Sequence, residues 1–493
     1  MEIIQEKFIQ LKQNLKSYLE NFDEDLINRA WIFAQEAHEF QKRKSGEKYI
    51  THPLEVALLL SSWKLDETTI IAGLLHDTVE DTKTSLAKIK ESFGEDASQI
   101  VDGVTKITQI RFGGSSDEIY VENLRKMIVA MSKDLRVILV KLADRVHNMK
   151  TLEYLEKEKQ IENAIETLEI YAHLAERLGM GEVKVQLEDL AFPYIYPDEY
   201  KKVTELSKPY LKESEELLQN MKKKILMEFH KEKIKAQINY RQKHLLSLWR
   251  KLERPGINWD FGKIYDIIAM RILVDSIEEC YASLGAVHKL YKPVPFLGVS
   301  DFIAQPKPNG YQSIHTKVFS KGGRIVEVQI RTHKMHEEAE YGVAAHWAYS
   351  ELKKNASKDD ESIEAGVSVS KNKLYWVRQL VQWQEELKDS DEFLAAVKQD
   401  ILKERIFVFS PNGDVFDLPE GATPVDFAYA VHTDFGNYLK SSKVNGKMVS
   451  LDHKLKNGDM VEILKSKNPR KPSEKWLSFV KTTIAKREIK KRE

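Results

Sequence analysis

One cysteine, Cys280, stands in a chain of 493 residues. A disulfide framework within the chain and a cysteine-rich zinc site are both excluded, and the usage fits a reducing compartment. No window approaches the ~18 uninterrupted apolar residues that a bilayer span requires. The charged, amphipathic stretch from Met1 to Lys16 has no apolar h-region, so no secretory signal is read there. Neither sign of charge prevails: Lys plus Arg and Asp plus Glu are 76 each, so net charge indicates no partner. There is no internal repeat, no P-loop and no dinucleotide-binding glycine fingerprint. Only the stretch from Lys465 to Glu493 is locally basic, a pattern of either a nucleic-acid contact or a solvated face.

What the sequence does hold is an ordinary 42% of hydrophobic residues with a high 31% of charged ones, on a chain too long for one core. Residues 1–196 read as nearly all helix. Apolar residues recur three and four apart in Ile50–Trp63, Thr68–Glu80 and Glu122–Lys150, and Pro193 and Pro197 mark a boundary. Residues 197–234 read as a charged helical connector. To residue 353, β-branched or alternating runs such as Tyr265–Val274 and Arg324–Ile330 are separated by helical segments, which predicts an α/β domain. Residues 354–402 read as a polar linker and a helix, Leu374–Lys388. Residues 403–466 form a β-rich module with turns at Pro411-Asn412-Gly413, Asn445-Gly446 and Asn457-Gly458. Residues 467–493 complete the chain as a basic helical tail.

The first chemical constellation is metal-like. His76-Asp77 closes the apolar run Ile70–Leu75, His52 precedes Pro53 at the start of the helix before it, and Asp144 lies in the apolar-faced Val137–Lys150. Two imidazoles and two carboxylates suit a divalent first-row ion such as manganese, with positions left for water and a phosphate oxygen. Glu80 and Asp81 are expected one turn further along the same helix, where they can handle a water proton. Asn148 follows Asp144 by one turn. A lone histidine at a helix end is more often structural than a ligand, and His38 and His147 are read as structural. The strings RKSGEKYITHP, LLHDTVEDT and VKLADRVHNMKTL resemble the hydrolase domain of the long RelA/SpoT homologues, a branch of the HD phosphohydrolases. The resemblance implies an all-α HD-type domain in which His52, His76, Asp77 and Asp144 hold Mn2+. It implies that Glu80 and Asp81 position or activate the water, and that Arg43, Lys44, Ser45, Asn148 and Thr151 line a nucleotide pocket. The implied reaction removes the 3′-diphosphate from the guanosine alarmones ppGpp and pppGpp. Synthesis-only members lose the His-Asp pair, which is intact here.

The second constellation suits phosphoryl transfer, which needs cations around phosphates and a carboxylate for magnesium. Tyr240 to His244 and Arg250-Lys251 are basic clusters, expected two or three turns apart on one helix. Asp266 opens an apolar run, and Pro306 to Ser313 suits a loop. Glu327, Gln329 and Arg331 share one face of a strand. RQKHLLSLWRKL, IYDIIAMRILV, DFIAQPKPNGYQSIHT and VEVQIRTHKMHEEAEYGVAAHW resemble the synthetase domain of the same family. The resemblance implies a nucleotidyltransferase-like α/β domain that transfers the β,γ-diphosphate of ATP to the 3′-hydroxyl of GDP or GTP. Asp266 and Glu327 would bind Mg2+, and Glu327 would also help deprotonate the hydroxyl. Arg241, Lys243 and Lys251 would hold ATP phosphates, Tyr311 would stack on guanine, and Lys307, Asn309 and His315 would surround the acceptor. The family's charged motif before the loop is replaced by Gly298-Val299-Ser300-Asp301, which matches neither its basic nor its acidic version.

The module from Arg405 to Leu464 resembles a TGS domain, a small β-grasp fold. The resemblance implies a contact with deacylated tRNA on the ribosome, for which His432 is the candidate residue. The C-terminal helical, zinc-finger-like and ACT regions usual in the family are missing from the sequence, which is read as either shortened or naturally short. The expectation is a cytoplasmic, bifunctional alarmone enzyme of the stringent response, with no membrane partner and with the connector 197–234 coupling its two sites. Two alternatives stand beside it: a hydrolase with a weak synthetase, and a tRNA- or ribosome-binding regulator with vestigial catalysis.

Overall fold

A computed structural model describes residues 2–108, 117–264, 267–295, 297–307, 310–342, 344, 405–466, 468 and 472–491. The expected linker and helix at 354–402 lie outside the described residues. The chain forms two compact units, Met1–Ala304 with Gly310–Val377, and Gln305–Asn309 with Arg378–Glu493.

The first unit begins all-helical. Its helices are α1 (Glu2–Tyr18), α2 (Glu24–Ala37), α3 (Thr51–Ser62), α4 (Glu67–Leu75), α5 (Thr78–Asp81), α6 (Leu86–Phe93), α7 (Glu95–Thr108), α8 (Asp117–Lys133), α9 (Arg136–Lys150), α10 (Lys157–Glu166), α11 (Ala172–Arg177) and α12 (Gly181–Ile195). A π-helical stretch, Thr167–Tyr171, joins α10 to α11. α9 is the central strut, with every residue from Val137 to His147 buried. Leu54, Ala57 and Leu60 of α3 and Ile70, Ile71 and Leu74 of α4 share its core, each at most 1% exposed.

The run Thr68–Glu80 is not one helix, as the sequence predicts. α4 ends at Leu75, and α5 begins after Asp77. The Thr78 hydroxyl donates to the Leu75 carbonyl, a side-chain bond that competes with the helical ladder. Glu80 and Asp81 therefore belong to a separate single turn.

Pro197 opens α13 (Pro197–Lys231), where its missing N–H is no loss. A five-stranded sheet follows: β1 (Gln237–Gln242), β2 (Ile268–Val274), β3 (Val299–Asp301), β4 (Ile314–Phe319) and β5 (Ile325–Thr332). Its order is β1-β2-β5-β4-β3, with only β2 and β5 parallel. α14 (Leu245–Leu252), α15 (Ile277–Leu290) and α16 (His333–Tyr341) accompany it. One sheet face is apolar. Met270, Ile272, Val328 and Ile330 pack there with Ile225 and Phe229 of α13 and Cys280 and Val287 of α15. The other face is polar, because β residues alternate sides. In register across it run Arg241, Ala269 and Glu327, then Arg271, Gln329 and His315.

The expectation of one helix carrying both basic clusters is corrected. Tyr240 and Arg241 lie on β1, and the helix starts only at Leu245. The alternation of Ile238 and Tyr240, with Ile238 in the core, is a strand signal that the clustering of basic residues hid.

The second unit carries β6 (Arg405–Phe409), β7 (Val415–Pro419), α17 (Pro424–Val431), α18 (Thr433–Tyr438), β8 (Leu439–Val444), β9 (Lys447–Val449), β10 (Val461–Lys465) and α19 (Thr483–Lys490). β10, β8 and β9 form one sheet, and β6 and β7 pair separately. Val480, Ala485 and Ile489 near the end of the chain pack on Val425, Ala428 and Tyr429 of α17. The buried Asp426 carboxylate accepts the Lys481 and Thr482 N–H groups, which ties the basic tail to the module. Among the described residues no helix is long and apolar enough to cross a membrane.

Candidate functional site

Three helices of the first unit converge on one buried cluster. His52 comes from the first turn of α3, His76 and Asp77 from the break after α4, and Asp144 from the middle of α9. His52 Nε2 lies 3.3 Å from Asp77 Oδ2 and 3.2 Å from Asp144 Oδ1. His76 Nε2 lies 3.2 Å from Asp77 Oδ1 and 3.9 Å from Asp144 Oδ1. His52, His76 and Asp144 each offer one ligand atom within 4.8 Å of the others.

The hydrogen bonds of His76 test whether these residues fit a cation. Its Nδ1 is 2.8 Å from the Gly73 carbonyl. A carbonyl only accepts, so Nδ1 carries the proton of the neutral ring. Nε2 is then a buried lone pair without a hydrogen-bond partner among the described residues, and it faces two carboxylates. That juxtaposition is repulsive unless a cation lies between them, and the fixed tautomer is that of a metal-ligating imidazole. Burial holds the His76 pKa below its ordinary value, so the ring stays neutral.

The carboxylates are prepared in the same sense. Burial alone would raise Asp144, but the Lys141 ammonium beside it and the His52 hydrogen bond hold it well below the usual carboxylate range. Burial likewise pushes Asp77 up, and the hydrogen bond with His52 works against it, so that Asp77 too is held below the usual carboxylate range. Lys141 Nζ donates to Asp144 Oδ2 at 2.6 Å, and Asn148 Nδ2 donates to Asp144 Oδ1.

A cavity of about 390 Å³ opens on this cluster. Its wall includes Arg43, Lys44, Ser45, Glu80, Asp81, Asn148 and Thr151 beside His52, Asp77 and Asp144; of the residues predicted for the first site only His76 is off the wall, where it lies against Asp77. Arg43 Nη2 donates to Asn148 Oδ1 at 3.0 Å and reaches Thr151 Oγ1 at 3.4 Å. Desolvation in the cavity, and then the Asp77 charge, raise Glu80 to about 6.

Three participants escape the sequence reading. The Tyr49 hydroxyl lies 2.8 Å from Asp77 Oδ2 and 2.6 Å from Asp81 Oδ2, with one proton for both. His147 Nδ1 lies 2.8 Å from His52 Nδ1 and so orients that ring. Lys141 had a signal: a lysine inside the apolar run Val137–Ala143 is seldom buried without a partner.

The second site lies on the polar face of the sheet. A pocket of about 180 Å³ is lined by Arg241, Lys243, His244, Ser247, Glu327 and Gln329, with Val185 of α12. Gln329 Nε2 donates to Glu327 Oε1 at 2.8 Å. His315 links the pocket to Tyr311, its Nδ1 3.5 Å from Glu327 Oε1 and its Nε2 2.7 Å from the Tyr311 hydroxyl. Lys251 lies one turn beyond Ser247 on α14 and is not part of the pocket wall. Lys307 falls in the stretch 305–309 that groups with the second unit. Asp266 and Asn309 lie outside the described residues. Asp301 serves its own turn, where it accepts the Ile303 and Ala304 N–H groups and the Tyr281 hydroxyl. In the second unit, His432 is exposed, tilted against Phe435.

Comparison with known proteins gives three family matches: the HD domain over residues 30–181, the region found in RelA/SpoT proteins over 240–354, and the TGS domain over 406–465. A GTP pyrophosphokinase of Myxococcus xanthus is 48% identical over 470 residues, 95% of this chain and 60% of that protein. A guanosine-3′,5′-bis(diphosphate) 3′-pyrophosphohydrolase of Aquifex aeolicus is 46% identical over 485 residues, 98% of this chain and 67% of that protein. A bifunctional (p)ppGpp synthase/hydrolase RelA of Mycobacterium tuberculosis is 43% identical over 469 residues, 95% of this chain and 62% of that protein. The chain thus spans 60% to 67% of the length of these relatives.

Proposed function

Because the chain belongs to the RelA/SpoT family, we propose that it both hydrolyses ppGpp and pppGpp and makes them from ATP and GDP or GTP. Hydrolysis releases pyrophosphate from the 3′ position. Synthesis joins the 3′-oxygen of the acceptor to the β-phosphorus of ATP and releases AMP.

The observation that carries the first half is the bare His76 Nε2 beside Asp77 and Asp144. We assign a divalent ion, manganese, to His52, His76, Asp77 and Asp144. When bound, it supplies charge neutralisation at the diphosphate and acidifies water. Arg43 with Asn148 and Thr151, and Lys44 with Ser45, hold the nucleotide. Glu80 and Asp81 receive the water proton, and the raised pKa of Glu80 suits that task near neutral pH.

In the second half, Arg241 and Lys243, together with Lys251, neutralise the ATP phosphates. Glu327 takes the 3′-hydroxyl proton, and with Asp266 it is the place for magnesium. Tyr311 stacks on guanine, with His315 beside the acceptor. The acceptor hydroxyl is neutral, so alignment and charge neutralisation supply most of the rate. Domain limits of 1–196, 197–353 and 403–466 fit this division of labour, and the TGS module with His432 is the candidate contact for deacylated tRNA and the ribosome.

A hydrolase with a weak synthetase is the second reading. It is favoured by the segment Gly298–Asp301, whose one charge is committed to local bonds. The test is a nucleotide assay in both directions. Purified protein with Mn2+ should release pyrophosphate from ppGpp, and with Mg2+, ATP and GDP it should yield AMP and ppGpp. No pyrophosphate overturns the first half, and no AMP leaves the second reading.

A further inference from the structure

Neither the HD match, which ends at 181, nor the RelA/SpoT match, which begins at 240, reaches α12 past its first residue. Yet two adjacent acids on this helix grip the synthetase lobe. α14 has His244 at its N-cap position, and that side chain makes no capping bond. The first N–H groups of a helix lack intrahelical partners and need an acceptor from elsewhere. Asp189 supplies it: its Oδ1 accepts the Leu246 N–H at 3.1 Å, and its Oδ2 lies 3.2 Å from His244 Nδ1. At the other end of α14, the buried Glu188 accepts from Arg250 Nη1 at 3.0 Å. The helix held at both ends carries Ser247 on the pocket wall, and His244 and Lys243 lead from it along the same wall to Arg241.

We propose that Asp189, supported by Glu188, is a positioning residue for pyrophosphate transfer. From the hydrolase side of the first unit it caps α14 and fixes the His244 ring, so that the ATP-binding wall is formed before ATP arrives. The proposal rests on reading the sheet pocket as the ATP site of a synthetase. Its physics is local. A carboxylate on Nδ1 keeps the ring proton there and leaves Nε2 as the acceptor. The same carboxylate removes an orphan donor and places negative charge at the positive end of the helix. Without it the first turn of α14 frays, the ring changes tautomer and rotates, and ATP must order both on binding.

The experiment is steady-state synthesis by the whole chain with ATP varied at saturating GDP and Mg2+, with ppGpp hydrolysis in Mn2+ run in parallel. Asp189→Ala should raise the KM for ATP about five- to tenfold, the change in an equilibrium constant that loss of one cap produces, with kcat and hydrolysis little altered. Asp189→Asn keeps an acceptor for the Leu246 N–H but turns an amide donor toward His244 Nδ1, so it should recover only the part of the loss that the cap accounts for. An unchanged KM in Asp189→Ala overturns the proposal. So does a parallel fall in hydrolysis, which marks a merely structural role, and so does an Asn variant as impaired as the Ala one. If the wild-type chain forms no ppGpp from ATP, the synthetase reading falls first; if it does form ppGpp, the reading stands and only the role of Asp189 is judged.

Discussion

At Glu327 a single side chain can test whether the two proposed activities are separate. It sits on β5 between Arg241 across the sheet and His315 on β4, and the metal cluster of α3, α4 and α9 uses none of these groups. Glu327→Gln should therefore lower synthesis by about a thousandfold, the scale expected when a base is lost, and leave ppGpp hydrolysis at the wild-type rate. Loss of both in the same preparation would contradict the two-site arrangement. Glu340 has a different task. It lies 3.1 Å from Arg271 and 2.9 Å from Arg331, with His336 beside it. Burial would raise its pKa, but the His336 hydrogen bond and both guanidiniums hold it well below the ordinary 4.5. A depressed carboxyl contributes stability that is present above the unfolded-state value and is lost as pH falls through the folded one. Urea titrations should thus show the wild type weakening below about pH 4.5. Glu340→Gln should be roughly 3 kcal/mol less stable at pH 7, with a flatter acid limb. The sequence made Glu327 legible through its alternation with Gln329. Glu340 was not legible, because its partners come from β2, β5 and its own helix.

The misread elements were those where a local bond or a distant strand overrode periodicity. The apolar repeat continues past Leu75, but the Thr78 hydroxyl takes the Leu75 carbonyl and the helix breaks. That break is where His76 and Asp77 come together, with Asp77 on the cavity wall and His76 Nε2 3.2 Å from its carboxylate. Tyr240 to His244 carries enough charge to resemble a solvated helix face, yet pairing with β2 turns its first part into a strand. The turn that ends α16 meets the turn between α11 and α12 so closely that a side chain is excluded. A Cβ on Gly342, at φ +56°, would stand 2.1 Å from the Leu178 carbonyl oxygen. Gly342→Ala should therefore cost more than about 2 kcal/mol from clash and backbone strain together. Thermal unfolding that matched the wild type would mean that the two turns do not meet in this way.

In the first unit, the helical lobe and the sheet lobe share α12, and Lys64 at the end of α3 pairs with Glu337 of α16 at 2.6 Å. If these contacts make the lobes cooperative, a cation bound to the helical lobe must stabilise the other one. Cys280 reports on this, since it is the only cysteine of the chain, is fully buried in the sheet core, and has its thiol pushed up to about 12 by burial. Thiol labelling of the native protein should be slow, and Mn2+ should slow it further, in proportion to the stability it adds. Labelling indifferent to Mn2+ would show that the lobes open separately. The candidate groups could be picked out along the chain because they travel in short strings: His76-Asp77 with Glu80 and Asp81, Asp144 with Asn148, Glu327 with Gln329 and Arg331. Such groups stay near each other in almost any regular backbone. Folding was needed for the rest: Arg43 bonds Asn148 across 105 residues, Tyr49 meets Asp77 across 28, and Asp189 caps a helix 57 positions away. Those pairings follow from how helices and strands pack, and no spacing along the sequence encodes them.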